Sequence, residues 1–441
     1  MAPAVVFSAV FFFYTMVCVV EKNAYAISFM PMTVVTITAG IGAFSLIAWI
    51  IGHFDRETAV QSNWNAIEFS NIYVILLMIA QLLSIVFFIK YLGNLADAYS
   101  AVSGEPFAGL GAKIELYDTM TKLWTDTYAQ LAVPIPMVYR LTNPICGAAE
   151  YLLIYIAVYN FTVNKKINPL HIVSVILMMI RIVMNGSRSP ILRIITFVIC
   201  LLYVFYMRQG RQRRLDGKLL GIMAAAAAGL CLLMLGLLFV MGRGSKGFDI
   251  FGYIFTYVGA PVVNLDTFLR NNSITLFHGV SDIPVFAPHI LRGLYAYIAK
   301  VCGTNLFSIA EINFFSFSSN GIEIGTVYTM FYKIIYDFGY AGVIWWTSLM
   351  ALYYSVTYGR IKSKISRHPI DFRLFIYAYL FNDLVMSAFS NRFYETIFDA
   401  PFIKLVPVAY ILDKLIVEYR VPERILQVVC KKPKEKSKHE R

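Results

Sequence analysis

Arg181, Arg188 and Arg193 fall in one short stretch, Arg-Ile-Val-Met-Asn-Gly-Ser-Arg-Ser-Pro-Ile-Leu-Arg, between apolar runs at 170–184 and 191–207. The Asn-Gly, Ser and Pro of Asn185 to Pro190 spell a tight turn. The stretch therefore reads as a helical hairpin with Arg188 at its tip. Arg181 lies about one turn before the end of the first helix and Arg193 about one turn into the second, so the three guanidinium groups are expected to gather at one end. A guanidinium's planar fork donates paired hydrogen bonds to phosphate oxygens, which makes the trio a candidate diphosphate site. The competing reading is that arginines near helix ends only reach the headgroups of a bilayer.

Downstream residues extend this chemistry. Arg270, Arg292 and Arg392 add cations for a diphosphate, and His278, His289, Glu323 and Asp337 are groups that could take a proton from a sugar hydroxyl as general base. Each also has a simpler reading: a loop histidine as a capping side chain, Asp337 as the cap of a helix starting there, Arg392 as the partner of Glu395 three residues on. No Gly-x-x-x-x-Gly-Lys-Ser/Thr loop and no Asp-x-Asp pair occur, so neither ATP nor a metal-held nucleotide sugar is expected, and no cofactor or metal is assigned. The six cysteines form no Cys-x-x-Cys or Cys/His cluster, and neither disulfides nor zinc are implied.

The elements that must carry these residues are set by composition. Hydrophobic residues make up 59% of the chain and charged ones 15%, with a mean hydropathy of +0.65, far from a soluble domain. The expected fold is an all-α polytopic membrane protein. Apolar runs long enough to cross ~30 Å of hydrocarbon number about ten. They cover roughly 4–20, 32–51, 71–92, 141–162, 169–184, 190–207, 219–241, 338–357, 373–390 and 402–418, with the approach to the fourth interrupted by Pro134, Pro136 and Pro144. Met1 to Val20 lacks the basic start and small-residue cleavage site of a signal peptide and reads as the first span. The net charge of +12 is split among short loops, including Arg208 to Arg214 and Arg360 to Lys364, and the tail from Lys431, so it reports topology and not nucleic-acid binding. The positive-inside bias puts both termini in the cytoplasm, with 419–441 as a basic cytoplasmic tail. External loops are then expected at 93–130 and at 242–337. The longer one, before the eighth span, should be partly helical, with an amphipathic piece at Leu291 to Val301.

Gly186-Ser-Arg188 at the hairpin tip, the long loop before the late spans, and Thr326-Val-Tyr328 leading to Tyr336-Asp-Phe-Gly-Tyr-Ala-Gly342 resemble the oligosaccharide repeat-unit polymerases, the O-antigen or Wzy-type family. That resemblance implies a metal-independent glycosyltransferase on the outer face of a bacterial inner membrane, acting in surface polysaccharide synthesis (lipopolysaccharide O-antigen, capsule or exopolysaccharide). Its donor would be a glycan on undecaprenyl diphosphate and its acceptor a lipid-linked repeat unit, with the arginines holding the leaving diphosphate. Tyr328 and other loop aromatics would stack on sugar rings, and a flippase and a chain-length regulator would be partners. Two alternatives stay open: a ligase-like transferase that passes the glycan once to another acceptor, and a lipid-linked oligosaccharide flippase or other transporter. The charges nearest the spans that a transporter could use are Lys90, Arg140, Lys404, Asp413 and Lys414.

Overall fold

The computed structural model describes residues 3–54, 59, 65–122, 124–165, 168–187, 189–209, 250–303 and 309–419. Arg188, the span expected at 219–241 and the basic tail beyond Tyr419 lie outside the described residues. Within them the chain is mostly helical, and its strands form one small hairpin. Five helices are long and apolar enough to cross a membrane: α1 (Pro3–Val20), α2 (Pro31–His53), α3 (Asn71–Ser103), α6 (Met137–Asn164) and α8 (Ser189–Arg208). The apolar α7 (Pro169–Met184) is shorter. Large side chains such as Phe12, Phe13, Val20, Trp49 and Val86 stay exposed along these helices, as expected where the neighbouring solvent is lipid.

Local sequence sets the helix ends. Pro31 and Pro169 open α2 and α7, where a missing N–H costs nothing. The side chains of Ser70 and Asn168 accept the first free amides of α3 and α7, and Gly104 closes α3 in the left-handed conformation. Two expectations need correction. The helix through 71–92 runs on to Ser103, so Lys90 lies well inside it, and Pro144 interrupts nothing because it is accommodated within α6. The segment after Ser103 holds α4 (Leu110–Lys122) and α5 (Thr125–Leu131).

The hairpin forms as its turn residues dictate. Gly186 takes φ +70°, donates to Val183 O at 2.9 Å, and sits against Asp118 of α4 so closely that a Cβ would overlap it. Past the undescribed segment come α9 (Ile250–Val258), α10 (Ala260–Asn271) and the expected amphipathic helix, α11 (Arg292–Cys302). A two-stranded antiparallel ribbon, β1 (Ser316–Phe317) with β2 (Glu323–Gly325), precedes α12 (Phe331–Ser363). The chain then forms α13 (Phe372–Val385), α14 (Arg392–Ile397) and α15 (Ala400–Asp413), which ends in a π-helical turn, Lys414–Glu418. In the bundle α12 packs along α2, α13 along α8, α15 along α6, and α3 against both α6 and α7. Its core is rich in rings, with Tyr91, Tyr155, Tyr354, Tyr377 and Tyr394 among the largest fully buried side chains.

At one end of the bundle Arg208, the last residue of α8, donates to Asp371 at 2.7 Å and to Ile361 O at 3.0 Å. The N–H of Asp371 donates to the Tyr155 hydroxyl at 3.1 Å, which ties α6, α8, α12 and α13 together there. The hairpin tip and the start of α12 lie at the opposite end.

α12 starts at Phe331, seven residues before the expected 338, and it is two helical segments. Gly339 interrupts it with φ +67° and ψ −162°, a conformation essentially confined to glycine. The freed backbone groups are taken up by a loop that precedes the helix: Val280 and Ser281 donate to Tyr336 O at 2.8 and 3.0 Å, while Tyr340 and Ala341 donate to Thr275 O and Leu276 O at 3.3 and 2.6 Å. A Cβ at Gly339 would overlap Thr275 O and lie 2.9 Å from both N and O of His278. Gly339→Ala is therefore expected to cost about 2–3 kcal/mol, from backbone strain with steric overlap added. Thermal unfolding in detergent checks this against Gly52→Ala, whose Cβ meets nothing within 4 Å. Equal shifts for the two variants would refute the assignment.

Candidate functional site

The two described guanidinium groups of the hairpin, those of Arg181 and Arg193, do not gather; each is drawn to a different carboxylate. Arg181 donates from Nε to Glu150 Oε1 at 3.1 Å and from Nη2 to Oε2 at 2.6 Å, with Nη1 on Asn143 Oδ1. Gln81 adds a bond to Glu150 at 2.8 Å, and Ser174 donates to Gln81 Oε1 at 3.1 Å. All of Arg181, Glu150, Gln81 and Ser174 are buried, so this is a closed network joining α3, α6 and α7. It leaves Arg181 no free fork for a phosphate. The reason is that one lone carboxylate in α6 faces one lone cation in α7, and an unpaired charge at that place would be far more costly than the pair.

Arg193 behaves similarly. It donates to Asp383 of α13 at 3.0 Å and to Thr396 of α14 at 3.2 Å, and lies over the Tyr379 ring at 4.6 Å. Arg270 clamps α10 to the start of α2, bonding Asp266 at 2.9 Å and Ser28 O at 2.6 Å; Asp266 in turn accepts from Met30 and Thr33. These three arginines are thus structural cross-links first.

The remaining candidates converge around the first segment of α12. Arg292 bonds Ile309 O at 2.9 Å and Glu311 at 2.5 Å. Lys333 lies between Glu311 at 3.5 Å and Glu395 at 3.0 Å. The expected Arg392 to Glu395 pair is absent, because the buried Lys333 takes Glu395 instead. Arg392, on the first turn of α14, makes no side-chain hydrogen bond or ion pair among the described residues, although its charge acts on Asp383, Glu395 and Asp399. Burial opposes ionisation of Glu395, but Lys333, Arg392 and Arg292 outweigh it and hold that carboxyl below its ordinary range. Asn391, which precedes Arg392 and is only 2% exposed, has neither side-chain oxygen nor nitrogen hydrogen-bonded among the described residues.

One turn along α12 from Lys333 lies Asp337. It caps no helix start, since α12 begins six residues earlier. Its Oδ1 meets His289 Nδ1 at 2.7 Å, and its Oδ2 accepts the backbone N–H of His289 at 3.0 Å and of Ile290 at 3.1 Å. The carboxylate thereby fixes the ring, which also meets Tyr336 edge-on at 4.6 Å. Nδ1 is engaged and Nε2 makes no hydrogen bond among the described residues, so the ring, only 3% exposed, keeps one nitrogen able to accept a proton. Tyr328 stacks on Tyr332 at 4.1 Å and donates to Phe314 O at 3.2 Å, so its face is partly used within the protein. His278 and Glu323 are exposed on the loop after α10 and on β2, without side-chain hydrogen bonds among the described residues. They are not drawn into the cluster by any contact. Lys333 and Glu311, central to it, escape a reading based on arginines and histidines; the Lys333 to Asp337 spacing of four is the signal that places them on one helical face.

Fold and site define an all-α membrane protein with a cation-rich, carboxylate-threaded cluster at one end of its bundle. Compared with models of known protein families, with curated proteins and with solved structures, the chain matches none.

Proposed function

We propose that the chain polymerises oligosaccharide repeat units carried on undecaprenyl diphosphate, at the outer face of a bacterial inner membrane. In this reading it crosses the bilayer about ten times, with both termini cytoplasmic and the cluster around Lys333 and Asp337 on the far side. The observation that supports it best is the guanidinium of Arg392, which has no hydrogen bond or ion pair among the described residues and lies one helical turn from Glu395, the partner of Lys333. A charged group at that position suits an anionic leaving group better than a neutral cargo.

The hydroxyl of the acceptor sugar loses its proton to His289 Nε2 as its oxygen bonds to the donor's anomeric carbon. The bond from that carbon to the diphosphate oxygen breaks, and undecaprenyl diphosphate leaves with its charge held against Arg392. Asp337 keeps the ring in the tautomer with Nδ1 protonated and steadies the imidazolium that forms.

The test is to supply the protein in lipid nanodiscs with an undecaprenyl-diphosphate repeat unit and separate the products by size. A ladder spaced by one repeat is expected. A single transfer to a lipid A core acceptor, without a ladder, would make it a ligase, and movement of the lipid across vesicles without any transfer would make it a flippase. His289→Ala is expected to slow ladder formation about 10²-fold or more, the usual worth of a positioned base. Asp337→Asn should act through the same step and lower turnover with little change in acceptor KM. A larger loss in acceptor binding than in turnover would remove His289 from the proton transfer.

A further inference from the structure

The loop that closes the break in α12 is unusual in what it shows to the outside. Residues 274–286, Ile-Thr-Leu-Phe-His-Gly-Val-Ser-Asp-Ile-Pro-Val-Phe, carry only His278 and Asp282 as ionisable groups. Leu276 is 57%, Phe277 77% and Phe286 65% exposed, a concentration of apolar surface that a water-facing loop does not retain without use. Phe286 rests on Phe338 and Trp346, with ring centroids 5.4 and 6.1 Å apart, so the loop lies beside the second segment of α12. That segment presents Ile344 at 50%, Trp345 at 73% and Leu349 at 53% exposure. Through Phe286 the loop thus adjoins the segment of α12 that carries these exposed apolar side chains.

Where it meets the break, its backbone is paired within the protein. Thr275 N donates to His278 O at 3.0 Å, Val280 and Ser281 donate into the break, and the carbonyls of Thr275 and Leu276 accept from it. Irregular chain is tolerated near hydrocarbon only when its amides and carbonyls are satisfied by protein, and the groups of the loop that face the break are. A Trp at the same level is what a membrane interface attracts.

We infer that residues 274–286 form an interfacial wedge whose Leu276, Phe277 and Phe286 side chains lie among the acyl chains at the headgroup boundary. The occupant is the lipid bilayer itself, because Phe286 packs on Trp346 of the segment that exposes Ile344, Trp345 and Leu349, much as the long apolar helices expose their own large side chains. The wedge stands independently of the transfer proposed above and places the break at Gly339 at bilayer level.

The experiment attaches an environment-sensitive NBD label at Phe277→Cys or Phe286→Cys in the full chain, with Cys231, Cys302 and Cys430 replaced by serine. Vesicles of phosphatidylethanolamine and phosphatidylglycerol are used, with or without nitroxide-bearing lipid, and Glu105→Cys serves as the exposed reference. Emission at 277 and 286 is expected to shift to shorter wavelength and to be quenched by the nitroxide severalfold more than at 105. Water-like emission at both positions overturns the wedge. So does a blue-shifted emission insensitive to lipid nitroxide but lost on diluting the protein in lipid, which would place a second copy of the chain on the patch. Size exclusion of each labelled variant confirms that the fold measured is the native one.

Discussion

Glu150→Ala is expected to destabilise the protein by about 3–5 kcal/mol, the loss typical of removing one partner from a buried ion pair. Glu150 and Arg181 have side chains only 2% and 8% exposed, and Asn143 and Gln81 complete their hydrogen bonding. Without Glu150 the guanidinium keeps its charge at any accessible pH and has nowhere to take it. Replacing both partners, Glu150→Leu with Arg181→Met, should recover most of the loss, since apolar substitutes of similar volume often stand in for a buried pair without penalty. Midpoints of thermal unfolding in detergent for the two single variants and the double variant give the comparison. If the double variant is as unstable as the single one, the pair's contribution is not electrostatic; if Arg181→Met folds well yet abolishes activity, Arg181 returns to the substrate site.

Arg392→Ala should produce the opposite pattern, a large loss of activity with the fold intact. Its guanidinium makes no ion pair within the described residues and acts on Asp383 and Glu395 only through its charge, so the variant should stay folded and unfold within about 1 kcal/mol of the parent. A lost charge contact to a leaving diphosphate should slow transfer about 10²–10³-fold. Arg392→Lys should recover part of this and no more, because an ammonium keeps the charge and loses the planar fork. Arg193→Ala provides the contrast: it leaves Asp383 buried with its chief cation gone, and is expected to lower stability before any kinetic effect can be read. Ladder formation at full rate by Arg392→Ala would remove that residue from the site.

How much of this was legible in the sequence depends on whether the signal is local. The helical hairpin was, because Asn185-Gly186 with a following Ser and Pro permits little else, and Gly186 has the positive φ such a turn needs. So were α11, from its amphipathic spacing, and the apolar character of the long helices. Partner choice was not. Glu150 and Asp383 are single carboxylates inside otherwise apolar helices, and nothing near them in the chain says that α7 and α8 deliver the matching arginines. Counting lone charges within apolar runs would have flagged both. Asp337 was picked out as polar at a helix start, but the helix starts earlier, and a turn of α12 before Gly339 turned a presumed cap into the residue that orients His289.

The interrupted α12 also bears on how the chain is made. On the inference that the break at Gly339 lies at bilayer level, its amides and carbonyls would meet lipid that cannot satisfy them. Here the groups that satisfy them belong to residues 275–281, which leave the ribosome before 336–341 do. The complement is in place when the break arrives. Moving that loop to the far side of α12 by circular permutation would reverse the order of synthesis while keeping every native contact, and the cost would be felt in yield during membrane insertion and not in the stability of the molecules that succeed.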